Sequence, residues 1–193
     1  MSADILPNFF QKVMPDFTPR AETFLKTISP ENLNHLNFRY ILTVGGMVEI
    51  SHLIEDRIIG TPDAAETHVS FQYFSRFAVQ HDRYAKIAEA AKGLWLYGIP
   101  DQALPEFSRM HGIDTSGTAL ENYWFLIAYG PGLSMTLLAE EVVHGNPELT
   151  GEPRLYEGFY TFDANIAYKL LVVLHQTFPD KLVEPTLPEL FEE

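Results

Sequence analysis

The chain has 193 residues, of which 26 are acidic and 13 basic, giving a formal net charge of −13; 46% of residues are apolar, 20% are charged and none is cysteine. That length suits one domain, able to bury roughly 70% of its unfolded surface without a disulfide or a metal. A cysteine-free chain excludes disulfides, thiolate metal sites and thioether-linked chromophores, and so acidic a surface repels the phosphate backbone of nucleic acid.

Residues 1–33 carry Pro7, Pro15, Pro19 and Pro30, with Phe9, Phe10, Phe17 and Phe24 between them. The prolines forbid one continuous helix, and the segment reads as an arm of short pieces. Met1–Phe10 has no basic region followed by an apolar run, so no signal peptide is expected. No stretch nears the roughly 18 consecutive apolar residues of a membrane helix. A cytoplasmic location without membrane contact is therefore the expectation. Phe38–Val44 fits either a strand or a first helix broken at Gly45-Gly46. Met47, Ile50, Ile54 and Ile58 repeat at helical spacing, and Gly60-Thr61-Pro62 stops that helix.

Val69, Phe71 and Tyr73 alternate with Ser70 and Gln72, which predicts a strand. Phe77–Lys92 predicts a helix with Tyr84, Ile87, Ala88 and Ala91 on its inner face. Leu94–Tyr97 is a short strand, and residues 100–121 read mostly as loop. Tyr123–Tyr129 has the pattern of a strand covered on both faces. Pro131-Gly132 suits a type II turn, whose twist opposes a tight hairpin, so a longer connection to the alternating Leu133–Ala139 stays open. Leu155–Thr161 is the last strand. Asp163 caps a helix with Ile166, Ala167, Leu170, Val173 and Leu174 inward. The chain ends in an acidic, proline-containing tail. The order predicts a mixed α+β fold of the α/β kind, with a mixed sheet of about five strands and packed helices. The boundaries read as an arm at 1–33, a domain at 34–178 and a tail at 179–193.

Several of these segments together resemble the DICT domain, a sensory module of bacterial diguanylate cyclases and two-component proteins. They are Ile50-Ser51-His52-Leu53-Ile54-Glu55-Asp56-Arg57, Phe71-Gln72, Arg83-Tyr84, Ile87-Ala88, Leu96-Tyr97-Gly98 with Asp101, Trp124-Phe125-Leu126-Ile127, and Arg154-Leu155-Tyr156-Glu157-Gly158-Phe159-Tyr160-Thr161-Phe162-Asp163. The resemblance covers roughly residues 40–176, and its order carries more weight than any one element. It implies a sensor or docking module in signalling, light-related settings included, and supplies no ligand. No cyclase, kinase or DNA-binding segment is attached here, so the implied output passes to a separate partner: a kinase, a response regulator or a diguanylate cyclase.

The residues themselves offer little for catalysis. There is no G-x-S-x-G elbow, phosphate loop or H-E-x-x-H pattern. His52, Glu55 and Asp56 share one side of a helix, but a metal needs a further ligand that the pattern lacks, so they read as a solvated or hydrogen-bonded face. Asp101 and Asp163 are the carboxylates that an enzyme would use. Each is better explained locally, as a turn residue and an N-cap. The chain is therefore read as no enzyme, and no cofactor is expected. Strand-borne aromatic rings fill the sheet core or, on a rival reading, line a pocket for a small molecule or pigment. The ligand-facing set would then be Gln72, Arg83, Tyr97, Asp101, Trp124 and Asp163. Phe9, Phe10, Phe17 and Phe24 are the candidate partner contacts, to another protein, a second copy or the chain's own domain.

Overall fold

Tyr123–Gly130 reads YWFLIAYG and has no polar face to give to water. Covering it on both sides sets the architecture. The computed structural model describes residues 40–144 and 153–192. Its strands are β1 (Tyr40–Thr43), β2 (Glu66–Tyr73), β3 (Gly93–Ile99), β4 (Met110–Asp114), β5 (Tyr123–Gly130), β6 (Leu133–His144) and β7 (Arg154–Thr161). The helices are α1 (Val44–Gly60), α2 (His81–Ala90) and α3 (Ala164–Thr177), with shorter turns between elements. The strands form one mixed sheet in the order β1-β7-β6-β5-β2-β3-β4. β2, β3 and β4 run parallel, and the remaining pairs are antiparallel.

Residues of β5 alternate between two cores. Leu126 and Ala128 join α1 and α2 through Met47, Ile54, Ile58, Tyr84 and Ile87. Phe125 and Ile127 join α3 through Ala167, Leu170 and Leu174. The sheet is thus sandwiched, and the inward positions predicted from helical spacing are the ones that pack. Thr43 caps α1, its hydroxyl accepting from the Gly46 amide at 3.2 Å. Asp163 caps α3, accepting from the Asn165 amide at 2.8 Å. The mixed α+β class holds. Among the described residues no helix is long and apolar enough to cross a membrane.

The sheet has seven strands where the sequence predicted about five. The additional ones are the two edges. β1 settles the ambiguous Phe38–Val44 stretch: Tyr40–Thr43 pairs with β7, and Gly45-Gly46 lie inside α1. β4 falls in a stretch read as loop, because Met-His-Gly-Ile-Asp buries only Ile113. Its pairing comes from the β3 backbone rather than from an apolar pattern. The Pro131-Gly132 connection is as short as it can be. Gly130 pairs directly with Leu133, and Gly132 takes φ +71 as a type II turn demands. The C-terminal segment also packs. Leu182 is buried, its carbonyl lies 3.0 Å from His175 Nδ1, and the Tyr129 hydroxyl donates to the Thr186 carbonyl. Phe9, Phe10, Phe17 and Phe24 lie outside the described residues.

Gly158 sits where β7 crosses the centre of β6. A Cβ there would press on the Leu138 carbonyl oxygen and lie 2.5 Å from Ala139 Cα, both fixed backbone. Gly158→Ala is expected to destabilise the fold by about 3 kcal/mol, or a Tm drop near 10 °C, read by thermal unfolding. An unchanged Tm would show that β6 and β7 do not approach this closely.

Candidate functional site

Two polar clusters sit among the apolar layers on the α1–α2 side of the sheet. The first pins α1 to α2. Glu55 is 3% exposed, a burial that a carboxylate tolerates only with partners. Helical spacing turns Glu55 toward α2, where Arg83 Nε and the Tyr84 hydroxyl donate to its two oxygens, the latter at 2.7 Å. Arg83 Nη2 also reaches Asp56 Oδ1 at 2.6 Å and the His52 carbonyl at 2.9 Å. Burial, reinforced by the Glu55 charge, pushes the Tyr84 hydroxyl well above its ordinary pKa. Beside this cluster Ser51, His52, Phe71, Gln80 and Trp124 line a gap of about 20 Å³. That gap has room for a water and none for a chromophore.

The second cluster lies at the C-terminal ends of β2 and β6, an edge where ligands enter α/β sheets. Two irregularities build it. Ser70 pairs with Tyr97 and Gln72 with Gly98, so Phe71 is an additional residue in β2. Opposite β7, Val142 is likewise additional, between Glu141 and Val143. Such bulges re-aim side chains. Gln72 takes φ +63, uncommon for a residue with a Cβ, and is buried to 3% exposure.

The Gln72 amide nitrogen donates to the Glu121 carbonyl at 3.1 Å and to Glu141 Oε2 at 2.9 Å. Its oxygen accepts from Arg76, from Arg154 at 2.8 Å and from the Tyr156 hydroxyl at 3.2 Å. Arg154 holds Glu141 with both Nε and Nη2, at 3.0 and 2.7 Å. That grip raises the Arg154 pKa, while burial and the facing Arg154 lower that of Arg76. Arg76 forms no ion pair among the described residues; it stacks over the Tyr73 ring, 4.8 Å from its centroid. Trp124 meets Tyr156 edge-on at 5.5 Å.

Three residues of the sequence-derived set therefore fall in this region: Gln72 and Trp124 in one neighbourhood, and Arg83 in the α1–α2 clamp. The other three are elsewhere. Tyr97 is fully buried in the α3-side core, 2.9 Å from His68 Nδ1. Asp101 accepts from the Ser75 amide at 2.8 Å and starts the helical turn after β2. Asp163 caps α3. Sequence reasoning missed Arg76, Glu141 and the roles of Arg154 and Tyr156. The last two stand two apart on β7, hence on one face, and that spacing was the available signal.

With the geometry in hand, comparisons place the chain. The family described as DICT, sensory domain in diguanylate cyclases and two-component system, matches residues 34–142, more than half of the chain. The chain belongs to that sensory domain family. Among curated proteins none matches. A solved structure, polyphosphate kinase from Porphyromonas gingivalis, is similar at 11% identity and a TM-score of 0.47, over 89% of this chain and 31% of that one.

Removing Arg83 strands a buried carboxylate. Arg83→Ala is expected to cost roughly 3 kcal/mol in urea unfolding, whereas Arg109→Ala, which removes the exposed pair with Asp63 and one bond to the Ala91 carbonyl, costs about 1 kcal/mol. Equal effects would deny the clamp.

His68 gives a second expectation. Burial lowers its pKa to about 3, so the folded state prefers the neutral ring. Its stabilising contribution is complete above the ordinary value near 6.5 and is lost as pH falls from there toward 3. Relative to His68→Gln, the native chain is expected to lose about 2 kcal/mol between roughly pH 8 and pH 5. Parallel stability profiles would refute it.

Proposed function

We propose that the chain is a regulatory sensory module of bacterial signalling whose output passes, in the cytoplasm, to a separate kinase, response regulator or diguanylate cyclase. The polar strand edge around Gln72 is where its signal enters. One observation carries this: a buried glutamine in left-handed backbone, turned by a β-bulge into a shared set of two arginines, a glutamate and a tyrosine. Strain of this kind costs about 1–3 kcal/mol, persists where the surrounding structure over-determines it, and clusters at functional sites.

The chemistry favours recognition over turnover. Glu55 is engaged by Arg83 and Tyr84, Glu141 by Arg154, and Asp101 and Asp163 by backbone amides. A general base needs a carboxylate at liberty to take a proton, and each of these already accepts hydrogen bonds within the fold. Of the two arginines in this cluster, Arg154 is paired with Glu141 and Arg76 has no ion pair among the described residues, so the entering group is a small anion or a partner's carboxylate. The partner reading is tested by affinity capture from the source cell with the full chain as bait. The native chain is expected to retrieve the same signalling protein in every repeat, and Arg76→Glu severalfold less of it at an unchanged Tm. Repeated capture with no kinase, response regulator or cyclase overturns the proposal.

A further inference from the structure

We propose that the groove at the Pro131-Gly132 end of the sheet is the seat of this chain's own N-terminal arm, held in cis by its phenylalanines. The inference stands apart from the function proposed above, because the groove lies at the opposite end of β2 from Gln72: Glu66 pairs with Tyr129, next to the turn.

The groove has a volume of about 940 Å³ and is walled by Leu53 and Arg57 of α1, the β5–β6 turn, Phe162 and Phe191. Leu53 is 68% exposed and Phe162 67% exposed. Neither takes part in the two cores, and both line this concave surface with their side chains exposed.

The occupant follows from where the chain enters. β1 pairs antiparallel with β7 in the register Tyr40–Gly158, Ile41–Glu157, Leu42–Tyr156. The Tyr40 ring stacks on Tyr160 at 5.5 Å, which fixes the direction of the strand. Beyond Tyr160, β7 runs on toward Phe162 in the groove wall, so Tyr40 enters the described fold beside that end. The 16 residues from Tyr40 back to Phe24 span up to roughly 55 Å when extended, enough to reach any part of the groove. Pro7, Pro15, Pro19 and Pro30 forbid one continuous helix across this stretch.

Charge agrees. Residues 1–39 hold four acidic side chains (Asp4, Asp16, Glu22, Glu31) and four basic ones (Lys12, Arg20, Lys26, Arg39), so the full net charge of −13 belongs to the rest of the chain. A neutral, phenylalanine-bearing arm meets that acidic body without repulsion. Attachment in cis also supplies an effective concentration of about millimolar, beyond what a second copy offers in dilute solution.

The absence of cysteine makes the test direct. Leu53→Cys in the full-length chain places one thiol in the groove. Its alkylation by a bulky maleimide is timed with the native arm and with Phe9, Phe10, Phe17 and Phe24 all changed to Ser, across a range of protein concentrations. The native arm is expected to slow alkylation about tenfold, by a factor independent of concentration. Equal rates overturn the proposal. Protection that fades on dilution assigns the groove to a second copy's arm and overturns the cis arrangement. Phe162→Cys repeats the measurement at a second groove residue, and an unprotected thiol there overturns it as well.

Discussion

The structure depends on one constraint: β5 and the middle of β6 have no side that tolerates water. Phe125, Leu126, Ile127 and Ala128 on β5, and Leu137, Leu138 and Ala139 on β6, are all fully buried. Two faces of a sheet must therefore be covered by a chain of modest length. α1 and α2 cover one, and α3 with the C-terminal segment covers the other. The packed C-terminal segment serves the same need: near the end of β5 the Thr186 carbonyl and the Phe191 ring help to cover Tyr129. Burial, with Tyr168, Glu189 and Glu66 nearby, raises the Tyr129 pKa to about 12.

A carboxylate or guanidinium enters such a core at tolerable cost only with partners, since a lone buried charge is too costly. Both clusters obey this. Glu55 is matched by Arg83 and Tyr84, and Glu141 by Arg154. They differ in backbone. The α1–α2 clamp is built on regular helix, whereas the Gln72 cluster needs a bulge in β2 and another in β6 and holds Gln72 at φ +63. Among the described residues Asp63 and Arg109 also take positive φ, but they form an exposed pair, whereas Gln72 is buried. Burial and bulges together, rather than the number of hydrogen bonds, distinguish the strand ends around Gln72.

Local chemistry was legible in the sequence and long-range pairing was not. The caps at Asp163 and the stop at Gly60-Thr61-Pro62 depend on a few neighbouring residues, and so does the inner face of each helix. β4 was hidden because an edge strand with one buried side chain has no apolar alternation to read. Gln72 was picked out as polar at a strand end, but its partners Glu141 and Arg154 are 69 and 82 residues away. Their meeting follows from the strand order, which places β2, β5, β6 and β7 side by side. Asp101 and Asp163 were nominated for the same reason as Gln72. They stay apart because each is consumed by the nearest orphan amide of a helix start.

The exposure of Leu53 follows from the clamp. Two residues along an α-helix turn a side chain by about 200°, so Leu53 and Glu55 lie on nearly opposite sides of α1. Glu55 cannot leave Arg83 and Tyr84 without stranding a buried charge, and α1 cannot rotate about its axis while that bond holds. Leu53 is thereby committed to the outside whatever its own preference. The fold would accept a polar side chain there at no cost in packing, as the neighbouring exposed positions Asp56 and Arg57 do. Leu53 and the exposed Phe162 both line the groove, and the same carboxylate that stabilises the α1–α2 layer also keeps the α1 wall of the groove in place.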